Sequence, residues 1–216
     1  PNRMMRALEV ILHTGFRRLA LAGTFLFGSL FLYIAAAPDY VMTHLRLDET
    51  QFGWFFVPTI TGMSIGAFIS GRLAGKASGM RMVQWGFGIC AASAVLNLIY
   101  ASTAIRLELP WAVLPMSGLA FGIALVFPIL TIALLDLYPH IRGTASSMQA
   151  FISLMSNALI SGLLVPLVSK TPALMAGVCC LFVAASYGVW RLYLQSPHAT
   201  IHCPDQPAAF EPTDEL

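Results

Sequence analysis

Six stretches of this chain, at about 18–38, 52–71, 82–104, 110–136, 146–168 and 172–194, are mainly apolar over about twenty residues or more. That length constrains the fold more than any other feature. A helix rises about 1.5 Å per residue, so about 20 residues cross ~30 Å of hydrocarbon, whereas a membrane strand needs only about 9–11. The windows therefore read as helices, each of which pairs its own backbone groups where no water can. Pro58, Pro128 and Pro166 fall inside windows, which membrane helices tolerate. Of the 216 residues 57% are hydrophobic and only 10% charged, against about 25% in an ordinary soluble domain. The expected fold is all-α and integral to the lipid bilayer, with six transmembrane helices in one bundle at 17–195. A cytoplasmic linker is expected at 1–16. A polar tail at 196–216, ending EPTDEL, has too little apolar surface to fold.

Lys and Arg placement orients such a bundle. With the N-terminus inside, Arg3, Arg6, Arg17, Arg18, Arg72, Lys76, Arg81, Arg142 and Arg191 are cytoplasmic, and only Arg46, Arg106 and Lys170 lie outside. Both termini are therefore expected in the cytoplasm. A chain beginning at Pro1 reads as a partial record or as one translated from Met4 or Met5. No small-residue cleavage site follows the first apolar run, which argues against a removed signal peptide. A net charge of +2 and the lack of an aromatic-laced basic patch point away from a nucleic-acid partner.

Chemistry at membrane depth needs polar groups there, and few are offered. His13, His44, His140, His198 and His202 all fall in loops or termini, and HExxH, phosphate-loop and dinucleotide glycine patterns are missing. The serine of KASGM at 76–80 sits in a basic loop, not on a span. No enzyme activity, metal or cofactor is expected. Cys90, Cys179, Cys180 and Cys203 make no ligand spacing and read as packing residues. No carboxylate sits near a span's middle; Asp39 is at the outer end of the first and Asp136 at the inner end of the fourth.

Uncharged polar residues say more. Gln149, Ser153, Asn157 and Ser161 recur every four residues along the fifth span, one slowly turning stripe that lines either a cavity or a helix–helix hydrogen-bonded seam. Thr24, Phe27 and Phe31 share a face of the first span, suited to an apolar ligand or to plain packing. Gly62, Gly66 and Ser70 on the second span, and Gly118 and Gly122 on the fourth, have the small-xxx-small spacing that lets backbones approach. The stretch LLDLYPHIRGTASS at 134–147 reads as a cytoplasmic turn: Tyr138 and Pro139 end one helix, Thr144 is the expected N-cap of the next, and Asp136 can pair with Arg72 or Arg142 as a gate-side ion pair.

Three stretches resemble the major facilitator superfamily. SGRLAGKASGMR at 70–81 resembles a worn copy of that family's G-x-L-a-D-R-x-G-R-R loop. Gly71, Leu73 and Lys76 match, Gly75 stands at the Asp position, Ser78 replaces a glycine, and the basic end is shifted to Arg81. FGIALVFPILTIALLDLYPHIRGTASSMQAF at 121–151 and APDYVMTHLRLDETQFGWFF at 37–56 look like the tenth and eleventh helices and the seventh-to-eighth helix region of bicyclomycin-resistance (Bcr/CflA-type) drug-efflux transporters. The resemblance spans roughly residues 15–195. It implies the C-terminal half of a multidrug antiporter in a bacterial inner membrane, driven by the proton gradient and working by alternating access. Its partners would be the missing N-terminal six-helix half and a small amphipathic substrate, and its role antibiotic resistance.

In such transporters the first and fourth helices of each half line the cavity, helped by the second and fifth. The resemblance thus implies a substrate cavity at Thr24, Phe27, Phe31, Thr131, Gln149, Ser153 and Asn157, with gate and loop residues Arg72, Lys76, Asp136 and Arg142. A metabolite transporter, a six-span protein that dimerises, and a truncated product inactive alone remain as alternatives.

Overall fold

The computed structural model describes residues 13–104 and 106–196. Among them every regular element is helical. Helix α1 spans Thr14–Ala35, α2 Gly53–Leu73, α3 Gly79–Thr103, α4 Leu114–Asp136, α5 Arg142–Leu159, α6 Val165–Val168 and α7 Pro172–Leu194. A wide π-type turn at Ile160–Leu164 joins α5 to α6, so the two form one span, and a second at Asp39–His44 follows α1. Pro166 accounts for the break: it has no N–H to give, and its ring crowds the carbonyl one turn back. Six helical segments are long and apolar enough to cross a membrane, which makes this a multi-pass membrane chain by length and composition. The sequence-based tail and most of the expected linker lie outside the described residues.

Helix boundaries depart from the hydropathy windows where local hydrogen bonding decides. α3 starts at Gly79, ahead of its window, because the Ser78 hydroxyl accepts from the Arg81 N–H at 3.4 Å and caps it. α4 starts late, because residues 108–113 turn back on themselves, with the Ala112 N–H on the Glu108 carbonyl at 3.0 Å. The expectation that Thr144 caps α5 is overturned. The Ala145 N–H already bonds the Ile141 carbonyl at 3.1 Å, so Ile141 is the cap residue and Thr144 lies inside the first turn. Between α2 and α3 the chain reverses at Gly75, whose φ of +78° is left-handed and suits a residue with no Cβ.

The two central helices are α1 and α4, which pack on each other. α4 also holds α2 and α3, α1 holds α7 and α5, and α3 meets α7. Exchanging the first span with the fourth, the second with the fifth and the third with the sixth maps these main pairings onto one another. Three spans is an odd number, so the two triplets run in opposite directions through the bundle, the arrangement of an inverted repeat. Burial follows the same exchange: 61% and 56% of the apolar windows of α1 and α4 are buried, but only 17% in each of the second and fifth spans.

Close backbone approach adds to side-chain packing in holding α4. A Cβ on Gly66 would stand 2.6 Å from the Phe121 carbonyl oxygen, and one on Gly62 would meet that of Ser117. On the other flank a Cβ on Gly122 would lie 2.8 Å from the Gly86 oxygen, and one on Gly118 would meet Ser93 Oγ. Lipid tails offer helices no hydrophobic drive to associate, so such close van der Waals approach does the work. Gly86 faces the same seam, where Gly86, Cys90 and Ala94 form an i, i+4 ladder less visible in sequence than a glycine pair. Hydrogen bonds tie α7 in: the Ser186 hydroxyl donates to the Ala22 carbonyl at 2.6 Å, and the Cys180 thiol to that of Ala94 at 3.2 Å.

The two ends of the bundle differ in charge. Among the described residues Arg17, Arg18, Arg72, Lys76, Arg81, Arg142, Arg191 and one carboxylate, Asp136, gather at one end; Arg46, Arg106 and Lys170 share the other with Asp39, Asp48, Glu49 and Glu108. Cross-links close each end. Arg18 Nη1 donates to the Leu192 carbonyl at 2.7 Å at the basic end, and His44 Nε2 lies 2.7 Å from the Ser169 oxygen at the other.

Candidate functional site: a polar and aromatic seam

Where α1, α4 and α5 meet, Thr24, Thr131, Gln149 and Ser153 bring uncharged polar groups together. Thr24 stands near the middle of α1 and is only 5% exposed, with its Oγ1 3.4 Å from Ser153 Oγ on α5. One turn toward the basic end, Gln149 Nε2 donates to Thr131 Oγ1 on α4 at 3.4 Å. Both contacts are long for hydroxyl and amide bonds, so both pairs can exchange partners with a ligand. A helix brings residues four apart to one face, which is why Gln149 and Ser153 both point at this seam.

Aromatic rings continue it. The Phe27 centroid lies 6.2 Å from that of Phe31 and 6.0 Å from that of Phe127 on α4. Gly23 lies against the Phe127 ring, where a Cβ would make ordinary van der Waals contact at 3.6 Å. The three phenylalanines are half-buried, so part of each ring stays open to whatever occupies the seam. Phe127 is the site residue that the pattern of polar residues does not single out. Its signal was available: it lies four residues before Thr131 and so on the same face of α4.

No family model and no curated protein matches this chain. The seam presents the Gln149 carboxamide on α5, hydroxyls from three helices and faces of three rings, and none of these groups ionises near neutral pH. It can hold an uncharged polar group and an apolar ring system; it has no nucleophile–base pair. Among the described residues no cluster of three or more His, Cys, Asp or Glu could hold a metal ion.

Asn157 continues the stripe two turns above Gln149, half-buried, while Ser161 is exposed in the wide turn. Asp136 and Arg142 pair at 2.8 Å across the turn between α4 and α5, both partly in solvent. Arg72, the other partner considered for Asp136, lies instead over the Phe68 ring at 4.7 Å. Lys76 is exposed in the loop after α2. The glycines Gly62, Gly66, Gly118 and Gly122 lie away from the seam, against the backbones described above.

Proposed function

We propose that this chain is the C-terminal six-helix half of a major facilitator drug/proton antiporter of the bicyclomycin-resistance type. The observation that carries the reading is the convergence of Thr24, Thr131, Gln149 and Ser153 with Phe27 and Phe127 at the meeting of the first, fourth and fifth spans. In an alternating-access transporter the site lies near the midplane at the interface between repeats, and here the seam joins one triplet of spans to the other. Rings with a few uncharged hydrogen-bonding groups suit amphipathic compounds of varied shape better than one charged metabolite. A metabolite carrier would need fixed charges that the seam lacks.

The sparsely buried second and fifth spans supply the faces that a further six-helix half would cover, and the proton-coupling carboxylate would belong to that half. The excess of cations at the Arg72 and Arg142 end supports a cytoplasmic side there, in a bacterial inner membrane, under the positive-inside rule. Asp136 and Arg142 sit at that mouth, where exchange of Arg142 for a partner on the other half would gate it.

The test is efflux of a fluorescent amphipathic dye from energised bacterial cells carrying the complete gene. The expected outcome is lower dye retention than in cells without it, abolished by a protonophore, with Gln149→Leu raising retention toward the empty-cell level. Equal retention with and without the gene would overturn the reading.

A further inference from the structure

At the basic end a groove of about 450 Å³ opens between α2, α3 and α4, away from the seam. Leu73, Met82, Trp85, Ile89 and Phe121 make its walls, and Arg81 stands at its mouth. From Arg81 to Ile89 it follows α3 for eight residues, about 12 Å, close to the ~15 Å depth of one leaflet's hydrocarbon. The walls are apolar and the mouth is cationic. Residues 70–81 hold Arg72, Lys76 and Arg81 and no carboxylate. Among the described residues none of the three has an acidic partner, the only carboxylate at this end being Asp136, already taken by Arg142.

We propose that this groove binds one anionic phospholipid, its acyl chain along α3 beside Trp85 and its phosphate on Arg81, with Lys76 close by in the loop. Basic pockets between spans at a membrane surface favour such headgroups by charge, and apolar walls of this depth match the tail. The binding is independent of the transport reading, because it needs only a bundle in a bilayer.

Trp85 reports on it directly. Trp54 and Trp111 lie toward the opposite end, and Trp190 is buried. A Trp54→Phe/Trp111→Phe chain is reconstituted in phosphatidylcholine vesicles, and tail-brominated phosphatidylglycerol or tail-brominated phosphatidylcholine is added as quencher. Phosphatidylglycerol should quench at a mole fraction about fivefold lower, as one cation at the headgroup implies. The ratio should fall to about one in Arg81→Gln. It should also fall in Ala77→Phe, which fills the groove without changing charge, while Arg81→Lys keeps it. Equal quenching by the two lipids in the parent, or an unchanged ratio in Ala77→Phe, would overturn the proposal, the latter assigning the preference to surface charge alone.

Discussion

Asn97 Nδ2 donates a 2.6 Å hydrogen bond to the Tyr33 hydroxyl, and both residues are no more than 1% exposed. The pair links α3 to α1 inside the apolar core, where no water replaces a lost partner. Tyr33→Phe leaves the Asn97 amide short of an acceptor, at an expected cost of about 1–2 kcal/mol. Tyr33→Phe/Asn97→Leu should recover most of that, since it removes both polar groups. Unfolding of the purified chain in mixed micelles measures both; equal losses in the single and double variants would refute the coupling.

Gly66 faces the Phe121 carbonyl so closely that a methyl group there must push backbone, not a movable side chain. Gly66→Ala should therefore destabilise by about 1–3 kcal/mol, as overpacking does. Gly71, whose added Cβ would meet nothing within 4 Å, is the control. Gly71→Ala should stay within about 0.5 kcal/mol of the parent in the same unfolding assay.

Phe127 and Phe27 present ring faces to one seam. Ring pairs are worth about 0.5–1.5 kcal/mol beyond their buried area, or about two- to twelvefold in affinity. Phe127→Ala should raise the half-saturating dye concentration for efflux by that factor, whereas Phe25→Ala, whose ring meets Phe182 on α7, should leave it unchanged. Concentration-dependent efflux measured on the two variants separates seam from framework.

The Asp136–Arg142 pair is partly solvated, so its loss should cost stability no more than about 1 kcal/mol. Its expected effect is on conformation. Asp136→Asn should shift the inward/outward balance, read as labelling of a cysteine placed at the seam by a reagent added from either side. Asp136→Arg/Arg142→Asp should restore the parent balance; an unchanged balance in Asp136→Asn would remove the gate role.

The six spans and the four-residue stripe on α5 could be read directly from the chain, because each depends on a local quantity. Hydropathy over about twenty residues is set by the solvent the segment must dissolve in, and the stripe by helical periodicity. Partner choice was not legible in the same way. Asp136 could meet Arg72 or Arg142, and only packing puts Arg72 on Phe68 and leaves Arg142 to the carboxylate. Thr144 carried a capping side chain in the right region, yet the turn closes three residues earlier, on Ile141. Gly86, Asn97 and Phe127 gain their meaning from residues 40 to 100 positions away along the chain, at Val126, Tyr33 and Phe27.

By itself the sequence determined that this protein consists of membrane-length helices with polar groups confined to a few faces, because burying backbone in hydrocarbon leaves a helix as the local solution. Only the tertiary structure decided which faces meet. That choice rests on backbone approach at Gly62, Gly66 and Gly122 and on a few long-range hydrogen bonds, short-range forces that act only once the helices are side by side.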